Sequence, residues 1–435
     1  MKGDIKDREY LYRLIVEQLF YDGHQAFAGN LVSIAGLSGK MPPPSNKLFK
    51  LIQQVQQMEL DTDAIDDQNF DEDTADNDEF YETYGGLDPE NDADVGPCSP
   101  ELSQYETIFL TTHKGPSRAA VYADDGKMFA TGSLDCSIKI VDVEKCISKH
   151  SGLADQDANP VIRTLFDHTE EVTALAFHPH DQLLVSGSAD CTLKFFDYGK
   201  AAVRRASRSI AETGVINSLS FHPSGDYLAV GTDNKVLRLY STETQQCWVS
   251  SHPADQHSSG ITCTDYSGEG RLLATGSKDG EIKIWDGVSS RCIESFKKAH
   301  DGAEICSVKF ARNGKYLLTA GFDSIVKLWE LSVNRCLLYY SGVGVGGASQ
   351  KLPINAEFNH TEDFVMYPDE RSGSLWSWDS RSMEKKKILS LGHSAAVRRI
   401  RHSPCGASFI TCSDDSRVRF WYKKYRTKQF IHDQN

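Results

Sequence analysis

The chain has 435 residues, 40% hydrophobic and 25% charged with 33 glycines, an ordinary globular composition rich in turns. No run approaches the ~18 apolar residues of a membrane span, Met1 to Glu9 lacks the apolar core of a signal peptide, and eleven cysteines without a CxxC pair argue against a disulfide framework or a structural zinc site. The net charge of −14 belongs to one segment: sixteen acids and no Lys or Arg lie between Glu59 and Asp94, which leaves everything else at +2.

From Tyr10 to Leu37 the apolar residues Leu11, Leu14, Ile15, Leu19, Phe20, Phe27 and Leu31 recur at three- and four-residue spacing. This predicts two short helices interrupted near Gly23. Pro42, Pro43 and Pro44 stop the chain, and Ser45 can cap a further helix carrying Leu48, Leu51, Ile52 and Val55. A unit of fewer than about sixty residues buries only a thin core, so its stripe needs a partner surface, and a second copy is the simplest one. The string "LYRLIVEQLFYDGHQAFAGNL" resembles the Lis-homology dimerisation motif, with its glycine turn and the pair Ala26 and Phe27. The alternative is a helical pair folded onto the rest of its own chain. Residues 1–58 are therefore expected to be a helical dimerisation domain.

Residues 59–100 repel themselves and hold few aliphatic side chains, which predicts a disordered tether. The thirty-six residues from Glu59 to Asp94 span about 35 Å root-mean-square. Phe70, Phe80, Tyr81 and Tyr84 interleave the acids, either as a short motif for a basic partner or as part of a plain solvated spacer. "DEDTAD" has no glycine where an EF-hand loop bends.

From Tyr105 onward one pattern recurs: a strand, a turn, a second strand ending in "(T/S)GSxD", and alternating residues ending in an aromatic, as in "LLATGSKDGEIKIWD". The end positions are Val141, Phe196, Tyr240, Trp285, Trp329, Trp378 and Trp421, spaced by 55, 44, 45, 44, 49 and 43 residues. Five copies place a histidine before the turn aspartate: His113 and Asp135, His168 and Asp190, His257 and Asp279, His300 and Asp323, His393 and Asp415. Four gaps are 22 residues and one is 23, and a hydroxyl stands four residues before each aspartate, at Thr131, Ser186, Thr275, Thr319 and Thr411. These sets resemble WD repeats. A turn carboxylate that accepts bonds from imidazole and backbone amides ties the loop entering a blade to that blade's own hairpin. Five copies at fixed spacing read as a structural clamp rather than as catalytic triads.

Such repeats cannot bury their sheet faces alone, so residues 101–435 are expected to form a mainly β, seven-bladed WD-repeat propeller. "YETIFLTT" at Tyr105 to Thr112 precedes the first full repeat and can supply the outer strand of the last blade. The third copy has Asn234 at the turn without an aligned histidine, and the sixth has Ser372, so those two clamps are expected to be weaker. Gly342, Gly344 and Gly347 match GxGxxG but lead into a strand instead of a helix, which rejects a dinucleotide site. Lys385 to Lys387, Arg398, Arg399 and Arg401, and Lys423, Lys424, Arg426 and Lys428 read as basic surface near the seventh blade, either a solvated rim or a seat for an acidic partner or RNA. Leu134, Lys278 and Phe322 precede turn aspartates at the upper rim and are candidate partner contacts, Phe322 standing out as an exposed aromatic. The cysteines read as reduced, mostly buried hydrophobes.

"YETIFLTTHKGPSR", "VIRTLFDHTEEVTALAFHP", "SKDGEIKIWDGVSSRC", "KAHDGAEICS", "FNHTEDFVMYPDE" and "CSDDSRVRFWY" resemble the WD-repeat subunits of cleavage stimulation factor almost end to end. The resemblance implies a nuclear, non-enzymatic scaffold of mRNA 3′-end cleavage and polyadenylation, without catalytic residues, cofactor, metal or membrane. It implies a homodimer through the amino-terminal helices, contacts to the larger helical-repeat subunit and other polyadenylation proteins, and indirect or weak RNA contact. A substrate adaptor of a ubiquitin ligase and a propeller enzyme remain as alternatives.

Overall fold

The computed structural model describes residues 99–151, 159–200, 204–250, 252–287, 289–341, 352–386 and 388–424, all within the carboxy-terminal unit Phe80–Asn435. The seven apolar residues of the expected amino-terminal helices, the acidic segment and the glycines of the GxGxxG match lie outside the described residues.

Seven four-stranded antiparallel sheets follow one another along the chain. Six are built from consecutive strands. The seventh takes its outer strand from the chain's far end, as expected: Tyr105–Thr112 pairs antiparallel with Arg417–Lys423, from Tyr105 opposite Lys423 to Thr112 opposite Arg417. First strands of neighbouring blades pack side by side around the centre, and blade seven's first strand packs on blade one's. The ring is closed.

Apolar alternation explains why the sheets stack this way. Each of seven buried clusters straddles one blade boundary instead of filling one blade. Ile138 and Ile140 of blade one meet Val172 and Phe196 of blade two, for instance, while Phe420 and Val418 of blade seven meet Phe129 and Val141 of blade one. The recurring glycine before the turn serves the same boundaries. A Cβ on Gly132 would lie 2.6 Å from Val172 Cγ1, and one on Gly276 would lie 2.5 Å from Ile305 Cγ2. The residue after the turn aspartate adopts a left-handed φ of 58° to 75° in five blades, filled by Cys136, Cys191, Gly280, Ser324 and Ser416.

Blade one owes its long spacing to the helix α1, Val143–Ser151, whose Val143 and Cys146 pack into the cluster that closes the ring. Blade six is the thinnest, with only Glu357–Phe358 and Leu389–Ser390 as first and last strands. Cysteines are free, but only Cys146, Cys263, Cys306 and Cys412 are buried among the ten described, while Cys247, Cys336 and Cys405 are exposed. This corrects the expectation of mostly buried thiols. Cys247 and Cys336 occupy outer strands, where one face meets solvent.

Candidate functional site

Four of the five histidine–aspartate sets are joined by a direct hydrogen bond, and the fifth by a relay. In blade four Trp285 Nε1–H donates to Thr275 Oγ1 (2.9 Å), Thr275 Oγ1 lies 2.7 Å from His257 Nε2, and His257 Nδ1 lies 3.3 Å from Asp279 Oδ2. Blade five repeats this chain through Trp329, Thr319, His300 and Asp323 at 2.9, 2.9 and 2.9 Å. Blade seven does so through Trp421, Thr411, His393 and Asp415 at 3.0, 2.9 and 3.0 Å. Blade two lacks the tryptophan but keeps Ser186 to His168 at 2.6 Å and His168 to Asp190 at 2.9 Å. In blade one the contact is relayed: His113 Nδ1 bonds Ser137 Oγ at 2.9 Å, Ser137 donates to Asp135, and the His113–Asp135 separation is 3.7 Å.

Donation runs one way, from indole to hydroxyl to imidazole to carboxylate, which requires neutral imidazoles protonated at Nδ1. Burial favours that state in three of the five. It pushes His168 and His393 below the usual imidazole range and His113 down to about 4. Asp190 sits at about 2: burial alone would raise it, but the Thr192 hydroxyl, the Thr169 N–H and His168 outweigh that cost. Four of the five carboxylates also accept the backbone N–H of the residue after their histidine, from Lys114, Thr169, Ser258 or Ser394, whereas the Asp301 N–H after His300 goes to the Lys298 carbonyl. These bonds hold a loop to a turn. His257, Asp279 and Glu281 bring one donor atom each within 4.8 Å, but both His257 nitrogens are already engaged by Thr275 and Asp279, and Glu281 caps Asp279 through its own N–H.

One member of the clamp was missed from sequence. Two residues before the end position, a cation donates to the carbonyl just before the clamp histidine: Lys139 to Thr112, Lys194 to Asp167, Lys283 to Gln256, Lys327 to Ala299 and Arg419 to Gly392. Its signal was the basic residue alternating with aliphatics in "IKIWD", "VKLWE" and "VRFWY". Blade three carries Arg238 at this position and builds a different fastener. Glu212, 22 residues before Asn234, accepts from Tyr240 Oη and pairs with Arg238 at 3.2 Å, while Asn234 Nδ2 donates to Thr213 Oγ1 at 2.7 Å. In blade six Asp369 accepts from Ser372 Oγ (2.6 Å) and from the N–H groups of Ser372 and Arg371.

At the upper rim Leu134 is 45% exposed. Lys278 is spent on Asp233 at 2.8 Å, joining blade four to blade three. Phe322 is half-buried and its N–H donates to Glu304, so the expected bare aromatic is partly covered. The arginine run is not one basic surface. Arg398 is buried between Asp414 (2.8 Å) and Glu370 (2.8 Å), and Asp414 also holds Arg118 of blade one at 2.8 Å. Arg399 and Arg401 line the central channel, a cavity of about 620 Å³ among the first strands. Strand alternation, with a bulge between Val397 and Arg399, sends neighbouring arginines to different places. None of the ten clamp residues lines that cavity.

A closed ring of seven sheets, each fastened by an internal turn clamp, defines a WD-repeat propeller protein. Residues 104–142, 159–197 and 385–422 match the WD domain, G-beta repeat, and residues 212–343 match the Vps8 β-propeller. Residues 3–60 match the dimerisation domain of cleavage stimulation factor subunit 1. Cleavage stimulation factor subunit 50 of Arabidopsis thaliana is 40% identical over 324 residues, 74% of each chain. Pre-mRNA-processing factor 19 of Bos taurus is 30% identical over 215 residues, 48% of this chain and 39% of that one, and a guanine nucleotide-binding protein subunit beta of Oryza sativa subsp. japonica is 27% identical over 212 residues, 45% and 52%. The chain belongs to the cleavage stimulation factor subunit 50 family.

Proposed function

We propose that the protein is a nuclear scaffold subunit of cleavage stimulation factor in mRNA 3′-end cleavage and polyadenylation, pairing with a second copy through residues 1–58 and presenting the propeller to the larger helical-repeat subunit. The carrying observation is the combination, in one chain, of a matched dimerisation domain and a closed propeller whose repeated His, hydroxyl and Asp sets are spent on internal bonds. Spent groups leave surface as the means of action. That supports a non-enzymatic role, with Leu134, Lys278 and Phe322 as proposed rim contacts. The family membership disfavours the ubiquitin-ligase reading.

Affinity purification of the full chain from nuclear extract, followed by mass spectrometry, tests this. The other cleavage stimulation factor subunits should dominate the eluate. Recovery of a cullin adaptor in their place would reverse the choice.

A further inference from the structure

The first strands place matching residues at matching heights in the channel. At one level blades four to seven carry Asp265, Lys309, Glu357 and Arg401, paired by strand register with Ala274, Leu318, Met366 and Ile410. These charges cancel in pairs: Lys309 Nζ meets Asp265 at 3.1 Å, and Arg401 bonds Glu357. Nearer the upper rim by two residues stand Ala119, Ala174, Ser218, Cys263, Ser307 and, in blade seven, Arg399. Five of these side chains are small and uncharged; the sixth is a guanidinium.

Arg399 differs from the arginines beside it. Arg398 meets two carboxylates and Arg118 meets two, Asp414 and Glu171. Arg399 Nε reaches the Arg118 carbonyl at 3.4 Å and has no carboxylate within ion-pair distance among the described residues. Burial lowers Arg399 to about 10, with Arg401's like charge adding to the effect and Glu357 opposing it. A planar fork of donors in a recessed cavity with small neighbours matches the two oxygens of a carboxylate or phosphate. Ser218 and Ser307 line the channel at the same level, their oxygens accepting from the Thr264 N–H and the Ala356 N–H.

We propose that the central channel is an oxyanion site with Arg399 as its principal ligand, taking a carboxylate or phosphate group either as a free ion or as an acidic side chain inserted by a partner.

The test is calorimetric titration of the full chain at constant ionic strength with inorganic phosphate, and separately with a short oligo-aspartate peptide. For a free-ion site, phosphate should bind saturably to the wild type, at least tenfold more weakly to Arg399→Gln, and with partial recovery in Arg399→Lys. For an inserted side chain, the peptide should show that same dependence and phosphate should not bind. Should Arg399→Gln fail to fold, Arg399→Lys carries the test and should bind whichever probe binds the wild type, but more weakly. If neither probe binds the wild type, or if binding is equal in wild type and in every folded variant, the proposal is wrong.

Discussion

Gly276 has no room for a Cβ because Ile305 of the next blade occupies the space, and the same holds for Gly132 against Val172. Blade seven carries Cys412 at the corresponding register position, and there the neighbouring strand begins with Ser117 instead of a β-branched residue. Gly276→Ala should therefore cost about 1–3 kcal/mol by overpacking. Adding Ile305→Ala should recover part of that loss in a double-mutant cycle by urea denaturation. At the clamps, Asp415→Ala leaves His393 Nδ1 and two backbone N–H groups without their carboxylate, a loss of about 1.5–3 kcal/mol. Asp135→Ala, where the histidine contact is relayed by Ser137, should cost less in the same measurement.

Histidines also set the pH response. His113 and His360 lie at about 4 and His402 at about 3, all lowered first by burial, against an ordinary value of 6.5. The unfolded chain then binds more protons than the folded one, so stability should fall as pH drops below about 6.5 and continue falling until the folded-state values are reached. His402 stands where the other six blades place Tyr122, Phe177, Phe221, Tyr266, Phe310 and Phe358. His402→Phe should flatten the dependence of the denaturation midpoint between pH 7 and pH 5. An unchanged slope would assign the effect to other groups.

Among the elements, Tyr105–Thr112 carries the most consequence because it is both the first strand of the ring and the outer strand of its last blade. Its Tyr105 packs with Phe409 and Trp421, and Phe109 reaches the cluster shared with α1. A chain beginning at His113 should lose the cooperative unfolding of the propeller, which full-length protein should keep. The repeats and this closing strand were legible in sequence because each blade must solve the same packing problem, and the same spacing recurs. The arginine run was not legible, since a linear charge cluster does not reveal that a bulged inner strand divides it between Asp414, Glu370 and the channel. Glu212 was equally hidden: with Tyr240, the end aromatic of that copy, and Arg238 it restores blade three's fastener through a carboxylate that the repeat pattern does not contain.

For the molecule as a whole, the dimerisation match to residues 3–60 leads to a definite hydrodynamic expectation. Full-length protein should sediment as a dimer at tens of micromolar, and joint substitution of Leu11, Leu14 and Leu19 by aspartate should produce a folded monomer. Asp414, which holds Arg118 and Arg398 across the junction of blades seven and one, belongs to the ring instead. Asp414→Ala should lower the unfolding midpoint and leave the dimer intact. The central claim, that the repeated His, hydroxyl and Asp sets fasten a scaffold and perform no chemistry, is tested most directly by cleavage of a polyadenylation substrate RNA in nuclear extract depleted of this protein and supplied with Asp190, Asp279, Asp323 and Asp415 variants. Restored cleavage should follow the fraction of each variant that is folded; a variant as stable as wild type that restores none would contradict it.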